Sequence, residues 1–476
     1  MKRFKFFIFN TSFLIITSLI FRAIDIYFTA YISRKIGSEM VGVYQLVMTV
    51  YLFGITLATS GINLAVTRVV SEELALDNLG GIKKVMKRCL YITLITSIST
   101  SLIFFVNADF IIETCLHNKV DKSVIYLFSL ALPMIAMSSA VSGYLAGVRR
   151  IYKNAIGQFI EHVVKVIVCA YLISLYLPSG LTYSCFALIL GDLISEIISF
   201  VFIYVVYIFD KRKYNSYPEV LRNNNYTYKV LRISIPIAIT SYIRSGLSTF
   251  KQLIIPSSLE KSGINCSESL SKYGIINGMA LPIIMFPDIL VKSFASLLIP
   301  EFSRYHAKKD YKRTKQMTTI LLSVILGASV LLSILLFIFA DTLGNLLYKD
   351  SNVGFYIKIF APLATLIYVD TVVDSVLRGL DAQIGVMIVN ICDLLISTSF
   401  IYFCVPKLGL IGYIISIYIS ETLNFVVSLL QLIKIVYLNP KKTWYNHVFL
   451  YYFRDTITFF LKPISSTLYN IHLIIF

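Results

Sequence analysis

The sequence predicts an all-α polytopic membrane protein. About 12 transmembrane helices form two pseudo-symmetric six-helix lobes around a central cavity, followed by a short C-terminal apolar tail. Three observations carry this reading. First, 57% of the 476 residues are hydrophobic and only 14% are charged, with a mean hydropathy of +0.77. Soluble chains have about 45–50% apolar and about 25% charged residues. The composition therefore excludes a disordered chain and argues against a soluble enzyme of several domains. Second, the apolar residues gather in runs near the length, about 20 residues, that a bilayer-spanning helix requires. Third, the basic residues alternate between successive loops, as a membrane topology demands.

The apolar runs are 6–32, 41–68, 89–106, 123–148, 154–177, 182–209, 233–256, 273–300, 318–340, 354–377, 383–405 and 409–433. The first follows Lys2, Arg3 and Lys5 like a signal peptide, but it lacks a small-residue cleavage site and continues past Arg22 and Asp25. It reads as a retained first span. Beyond Trp444 lie two shorter runs, 447–461 and 464–476, whose length fits either interfacial segments or short extra helices.

The net charge of +17 would suggest nucleic acid in a soluble chain. Here the placement of the charges explains it, and no nucleic-acid partner is expected. One set of loops carries 26 Lys and Arg residues, with clusters at 83–88, 149–153, 211–232 and 304–315. The alternate loops carry 9, from Arg34 to Lys407. The positive-inside rule then places the N-terminus in the cytoplasm of a multi-pass protein of the cell membrane. The seven cysteines are odd in number and contain no CxxC. Cys115 and Cys266 fall in predicted outer loops, where pairing is open to them, but nothing in the sequence fixes the geometry a disulfide needs.

The most polar internal stretch, 210–232, divides the helices six and six: an N-terminal lobe 1–209, a cytoplasmic linker 210–232, a C-terminal lobe 233–438 and a tail 439–476. Residue echoes support a duplication of the kind found in transporters. Ile194-Ser195-Glu196 matches Ile419-Ser420-Glu421, Arg22 matches Arg244, and Gly147 matches Gly379, all at offsets of 222 to 232.

Polar residues within the spans carry the functional reading, because a charge at a helix centre costs about 2.5–3.5 kcal/mol on insertion scales. The first span bears Thr11, Ser18, Arg22, Asp25 and Thr29 on one helical stripe. The second bears Gln45, Thr49, Thr56, Ser60, Asn63 and Thr67, with Arg68 at its inner end. The fifth has Asn154, Gln158, Glu161 and Lys165; the seventh has Thr240, Arg244, Ser248 and Lys251. The eighth has Asp288 and Lys292, and the tenth has Asp370, Asp374 and Arg378. For the uncharged members, interhelical hydrogen bonding is the plainer explanation. Arg22 with Asp25, Glu161 with Lys165, and Asp288 with Lys292 are equally readable as local pairs one turn apart. Arg244 has no acidic residue within a turn, which points to a wet cavity or an anionic ligand. Paired guanidiniums suit a phosphate or pyrophosphate. The candidate anion-binding residues are Arg22, Arg244, Lys251, Arg68 and Lys292; those for polar lining or ion coupling are Asp25, Asn63, Glu161, Lys165 and Asp374.

No nucleotide, metal or serine-hydrolase motif occurs, the five histidines lack metal spacing, and neither enzyme activity nor a cofactor is expected. His162, beside Glu161 in a span, reads as a packed polar residue. Pro133, Pro236, Pro282, Pro287, Pro300 and Pro362 interrupt spans, as kinked helices lining a cavity require and as static packing also allows.

Several segments resemble a known family: Arg34-Lys35-Ile36-Gly37 through Gly42-Val43-Tyr44-Gln45, Ser60-Gly61-Ile62-Asn63 through Thr67-Arg68, Ile254-Ile255-Pro256, Tyr273-Gly274, Leu281-Pro282 through Phe286-Pro287, and Ser296 through Glu301. Over about residues 5–435 the chain is similar to the polysaccharide biosynthesis family of the stage V sporulation protein B type, within the multidrug/oligosaccharidyl-lipid/polysaccharide exporter superfamily. That resemblance implies a flippase acting by alternating access. Its substrate would be a lipid-linked sugar pyrophosphate, a peptidoglycan or oligosaccharide precursor used in cell wall or spore cortex synthesis. It also implies basic cavity residues in helices 1, 2 and 8, which Arg22 matches in helix 1, with Arg68 and Lys292 the nearest offers elsewhere. The expected partners are that substrate and membrane lipids, with Na+, H+ or the membrane potential as driving force and a monomer as the working form. The alternative is a cation-coupled multidrug exporter using Asp25, Glu161, Asp370, Asp374 and Asp393. A glycosyltransferase ranks third, because outer loops 107–122, 257–272 and 341–353 are short.

Overall fold

The computed structural model describes residues 2–116, 119–179, 181–212 and 225–438, with side chains described from Ile16 onward and outside 179–182. The tail 439–476, linker residues 213–224 and the Thr11 end of the first polar stripe lie outside what is described. Every regular element among the described residues is a helix.

Two helices are far too long for one crossing. Ile16–Ala75 has 60 residues and Gln383–Tyr437 has 55. At 1.5 Å per residue either would be more than twice the roughly 30 Å hydrocarbon layer. Each is broken at a glycine with positive φ, Gly37 at 79° and Gly409 at 59°. A side chain would strain that backbone. We therefore number the spans α1 (2–36), α2 (38–75), α3 (Leu79–Val106), α4 (Lys122–Gly147), α5 (Ile151–Tyr176), α6 (Leu181–Arg212), α7 (Tyr226–Lys261), α8 (266–307), α9 (Tyr311–Ile338), α10 (Ser351–Gly379), α11 (383–408) and α12 (410–438). Helix α2 is interrupted at Ser60 and Gly61, and α8 at 285–287 before Asp288. Among the described residues eight helices are long and apolar enough to cross a membrane, and the broken α8 makes nine. Dividing the two long helices and adding α7 gives about twelve. Helix α7 is less apolar: it carries Arg244 among Ser, Thr and Tyr residues in its middle, with Lys229, Arg232, Lys251, Glu260 and Lys261 toward its ends.

The chain forms two compact units. One holds residues 1–283 with 344–353, the other 284–343 with 354 onward. In the first unit, valines of α2 (Val66, Val69, Val70) meet Ile82 and Met86 of α3, Val141 and Tyr144 of α4, Tyr207 of α6 and Tyr226 and Val230 of α7. In the second, α10 is the interior helix: 61% of its apolar window is buried, against 17% for α9. The remaining apolar surface, such as Ile320, Val324, Leu331 and Ile338 on α9, is what lipid covers.

The internal repeat is visible in the hydrogen bonds. Ser71 donates to the Gly147 carbonyl at 3.1 Å, and its counterpart Ser303 donates to the Gly379 carbonyl at 3.1 Å. In the same register, Ser101 donates to the Ser129 carbonyl at 2.6 Å, and Ser333 to that of Ala361 at 2.7 Å. Asn78 and Asp310 each cap a helix by accepting from the backbone N–H three residues on. The left-handed residues also repeat, Asp77 with Lys309 and Arg149 with Asp381. Each unit thus builds its helix triplet, the inner part of α2 with α3 and α4, or of α8 with α9 and α10, by the same local rules.

All seven cysteines are free, so the pairing of Cys115 with Cys266 considered from sequence is not made.

Candidate functional site

In the first unit the charged residues of α1, α5 and α6 form one polar layer. Asp25 on α1 meets His162 Nδ1 on α5 at 3.3 Å, and the His162 ring stacks on Phe21 at 4.6 Å. Lys165, one turn further along α5, reaches Asp192 on α6 at 2.8 Å. Asp192 is 5% exposed and also accepts from the Tyr44 hydroxyl of α2 at 3.1 Å. Glu161 accepts from Ser199 of α6 at 3.3 Å. Two local pairs readable from sequence are therefore replaced by interhelical ones: Asp25 turns to His162 rather than Arg22, and Lys165 to Asp192 rather than Glu161. A buried charge gains more from a partner that also closes a helix interface than from a neighbour on its own surface, because the desolvation cost is met by a geometry packing holds fixed.

Among the described residues Arg22 has no acidic partner. Its Nε is buried with no hydrogen-bond partner. The phenol of Tyr348, in the short helix Ala340–Tyr348, is 3% exposed, likewise unpartnered, and within electrostatic reach of the Arg22 guanidinium. Arg34 of α1 donates to the Leu346 carbonyl and ties this helix to α1.

Helix α7 packs one face on α2: Tyr242 donates to the Leu57 carbonyl at 2.9 Å and Ser245 to Thr56 at 3.2 Å. Arg244 is exposed and Lys251 half-buried. Neither has an ion pair or side-chain hydrogen bond among the described residues. Two helical turns apart, they share a stripe with Thr240 and Ser248.

The other candidates are engaged locally. Arg68 pairs with Glu72 one turn on at 3.0 Å, its side chain 65% exposed. Glu72 also pairs with Lys229 at the start of α7 at 2.7 Å. Asn63 donates to the Ser139 carbonyl of α4 at 3.0 Å.

In the second unit, Lys292 keeps the local pair with Asp288, at 2.6 Å, and Asp288 also accepts from Thr371 at 2.9 Å. Asp374 pairs with Arg378 at 3.2 Å. Asn424 of α12 donates to Asp370 at 3.1 Å, and Ser420 donates to Asp393 at 2.6 Å. The second oxygen of Asp370 and the amide oxygen of Asn424 are buried without a hydrogen-bond partner. Among the described residues no group of three or more His, Cys, Asp or Glu is placed to hold a metal ion.

Sequence reasoning missed Asp192, Tyr44 and Tyr348. Asp192 was findable: with Glu196 and Ser199 it forms an i, i+4, i+7 polar stripe on α6 like those recognised on other spans. Tyr44 and Tyr348 carry no such signal, since tyrosine is common on any membrane helix.

The model of the family described as "Polysaccharide biosynthesis protein" matches residues 7–306. Stage V sporulation protein B of Bacillus subtilis (strain 168) is 26% identical over 420 residues, covering 86% of this chain and 80% of that one. Lipid II flippase MurJ of the same organism is 24% identical over 396 residues, covering 74% of this chain and 71% of that one. Among solved structures, the inward-facing conformation of a multidrug resistance MATE family transporter of the MOP superfamily superposes with a TM-score of 0.72 at 13% identity, covering 88% of this chain and 96% of that one. The fold is thus that of a multi-pass membrane transporter, and the chain belongs to the polysaccharide biosynthesis protein family.

Proposed function

We propose that this protein is a flippase that moves a lipid-linked sugar pyrophosphate, an oligosaccharide or peptidoglycan precursor, across the cell membrane by alternating access. The observation that carries the reading is the pair Arg244 and Lys251 on the least apolar span, both without a partner among the described residues, in a fold where most other span charges have one. An uncompensated cation in a membrane helix is retained where an anion visits it. A pyrophosphate offers the oxygens that a guanidinium engages through paired hydrogen bonds. Arg22, with its unpartnered Nε, supplies a second such group. The names of two relatives, a lipid II flippase and a stage V sporulation protein, support a cell wall or spore cortex role.

In this reading the lobes 1–209 and 233–438, joined by the linker 210–232, rock around a central cavity, and the N-terminus is cytoplasmic. The protein works as a monomer without enzymatic chemistry, driven by Na+, H+ or the membrane potential. Reversing Arg244 to Glu is expected to abolish precursor translocation while leaving the amount of protein in the membrane unchanged. Full translocation by that variant overturns the reading.

A second reading is a cation-coupled multidrug exporter. What favours it is the second unit's polar layer, where α10 and α11 gather the carboxyls of Asp370, Asp374 and Asp393 and Arg378 pairs with Asp374. Expression in a drug-sensitive host separates the two: resistance to cationic drugs that is lost in Asp374→Asn supports the exporter, and unchanged susceptibility supports the flippase.

A further inference from the structure

A groove of about 310 Å³ lies where α3 passes the start of α7, lined by Arg88, Tyr91, Ile92, Ile95, Thr96 and Thr227. Its composition is graded. Arg88 has no partner among the described residues and stands nine residues into α3, near Lys84 and Lys87, where the apolar run 89–106 begins. Tyr91 follows one turn on, with a polar tip and an apolar body suited to the headgroup level. Ile92 and Ile95 come next, and from Arg88 to Ile95 is about 10 Å along the helix. The apolar end opens onto a lipid-facing stripe: Ile95, Ile98, Leu102 and Phe105 are all exposed. The second wall is Thr227, in the first turn of α7, where the Asn225 side chain caps the Tyr228 N–H and the helix dipole favours an anion.

Cationic end, aromatic collar, apolar run and an exit along a lipid-facing stripe reproduce, in order, the headgroup, glycerol region and acyl chain of a phospholipid. We propose that this groove is a binding site for an anionic glycerophospholipid of the leaflet that the basic loops face. The leaflet assignment rests on the orientation proposed above, but binding itself does not depend on the transported substrate. The volume suits a phosphoryl headgroup and the first part of one chain, not a bulky glycan. The internal repeat supplies a contrast. In the register that pairs Gly147 with Gly379, the counterpart of Arg88 is Ile320, 59% exposed, so the repeat's common architecture does not account for the arginine.

The test is lipid retention by the full-length protein in nanodiscs of phosphatidylcholine containing increasing phosphatidylglycerol, read by native mass spectrometry. Wild-type protein should retain phosphatidylglycerol selectively. Arg88→Gln should lower its apparent affinity about fivefold, the equivalent of about 1 kcal/mol for one basic residue at an anionic surface. Arg88→Lys should keep most of it, and Tyr91→Ala should weaken retention of the whole lipid without changing its headgroup preference. Lys83→Gln, nearby on α3 but outside the groove, should change nothing. Equal retention of the two lipids, or full selectivity in Arg88→Gln, overturns the proposal. So does an Arg88→Gln loss matched by Lys83→Gln, which would mark diffuse surface charge. Competition by inorganic phosphate alone at millimolar concentration would also overturn it, by showing a free-anion site. Absence of precursor translocation by the wild-type protein, with lipid selectivity intact, would count against the flippase reading and leave the lipid site standing.

Discussion

The two units place polar groups at matching positions and fill them differently. On α5 and α6, Lys165 pairs with Asp192; on α11 and α12, Asp393 instead accepts from the Ser420 hydroxyl. On α4, Ser138 and Ser142 stand where α10, in the register of Gly147 and Gly379, has Asp370 and Asp374. The first unit thus joins two helices by an ion pair, with the carboxyls of Glu161 and Glu196 beside it. The second concentrates carboxyls and meets them with hydroxyls, an amide and Arg378. A common scaffold carries both, so the scaffold's hydrogen bonds do not dictate the charge within it.

The largest effect should come from breaking the buried ion pair of the first unit. Lys165→Ala leaves Asp192, 5% exposed, without its cation. Removing one partner of a buried pair costs about 3–5 kcal/mol. The variant should show a strongly lowered unfolding temperature in detergent, and Lys165→Ala with Asp192→Ala together should recover much of the loss. A single variant as stable as wild type would mean the layer is wet. The matching change in the second unit, Ser420→Ala, takes a hydroxyl rather than a cation away from an aspartate. It should cost much less, about 1 kcal/mol, the worth of one hydrogen bond.

Next in size are the glycines at the repeated helix crossings. A Cβ at Gly147 would meet Val70 at 3.0 Å and the Thr67 carbonyl at 3.1 Å, and one at Gly379 would meet Phe302 at 2.7 Å and the Ile299 carbonyl at 2.9 Å. Overpacking of this kind costs about 1–3 kcal/mol. Gly379→Ala should be the worse of the two, since both its side-chain and its carbonyl contact are closer than those at Gly147. Thermal unfolding of the two variants side by side checks the order, and the reverse order would show that the second unit's crossing is the looser one.

How much of this was legible in the sequence follows from how local each feature is. Span number and the repeat were legible because bilayer thickness and helix period impose themselves on every run, and Gly147 with Gly379 marked a register that the hydrogen bonds reproduce. The polar stripes were legible for the same reason. Partner choice was not. Spacing offers Asp25 to Arg22 and Lys165 to Glu161, whereas folding delivers His162 and Asp192, from α5 and α6, and no single-helix pattern encodes which neighbouring helix approaches. Arg244 was singled out because it lacked a local acid, and packing added none among the described residues. Absence of a local partner is a property sequence can report, while presence of a distant one is not.

The smallest effect tests the repeat itself. Ser71→Ala and Ser303→Ala each delete one hydroxyl-to-carbonyl bond of 3.1 Å between equivalent helices. Interhelical hydrogen bonds in membrane proteins average about 0.6 kcal/mol. Each variant should therefore lower stability by a few tenths to about 1 kcal/mol, and the two losses should be alike, because donor, acceptor and glycine neighbour are alike. The double variant should equal the sum, the sites being in different units and sharing no partner. Careful thermal or steric-trapping measurements can resolve differences of this size. Unequal losses would show that the repeated geometry bears different loads in the two units, and the contrast in their polar layers would then extend to the packing that surrounds them.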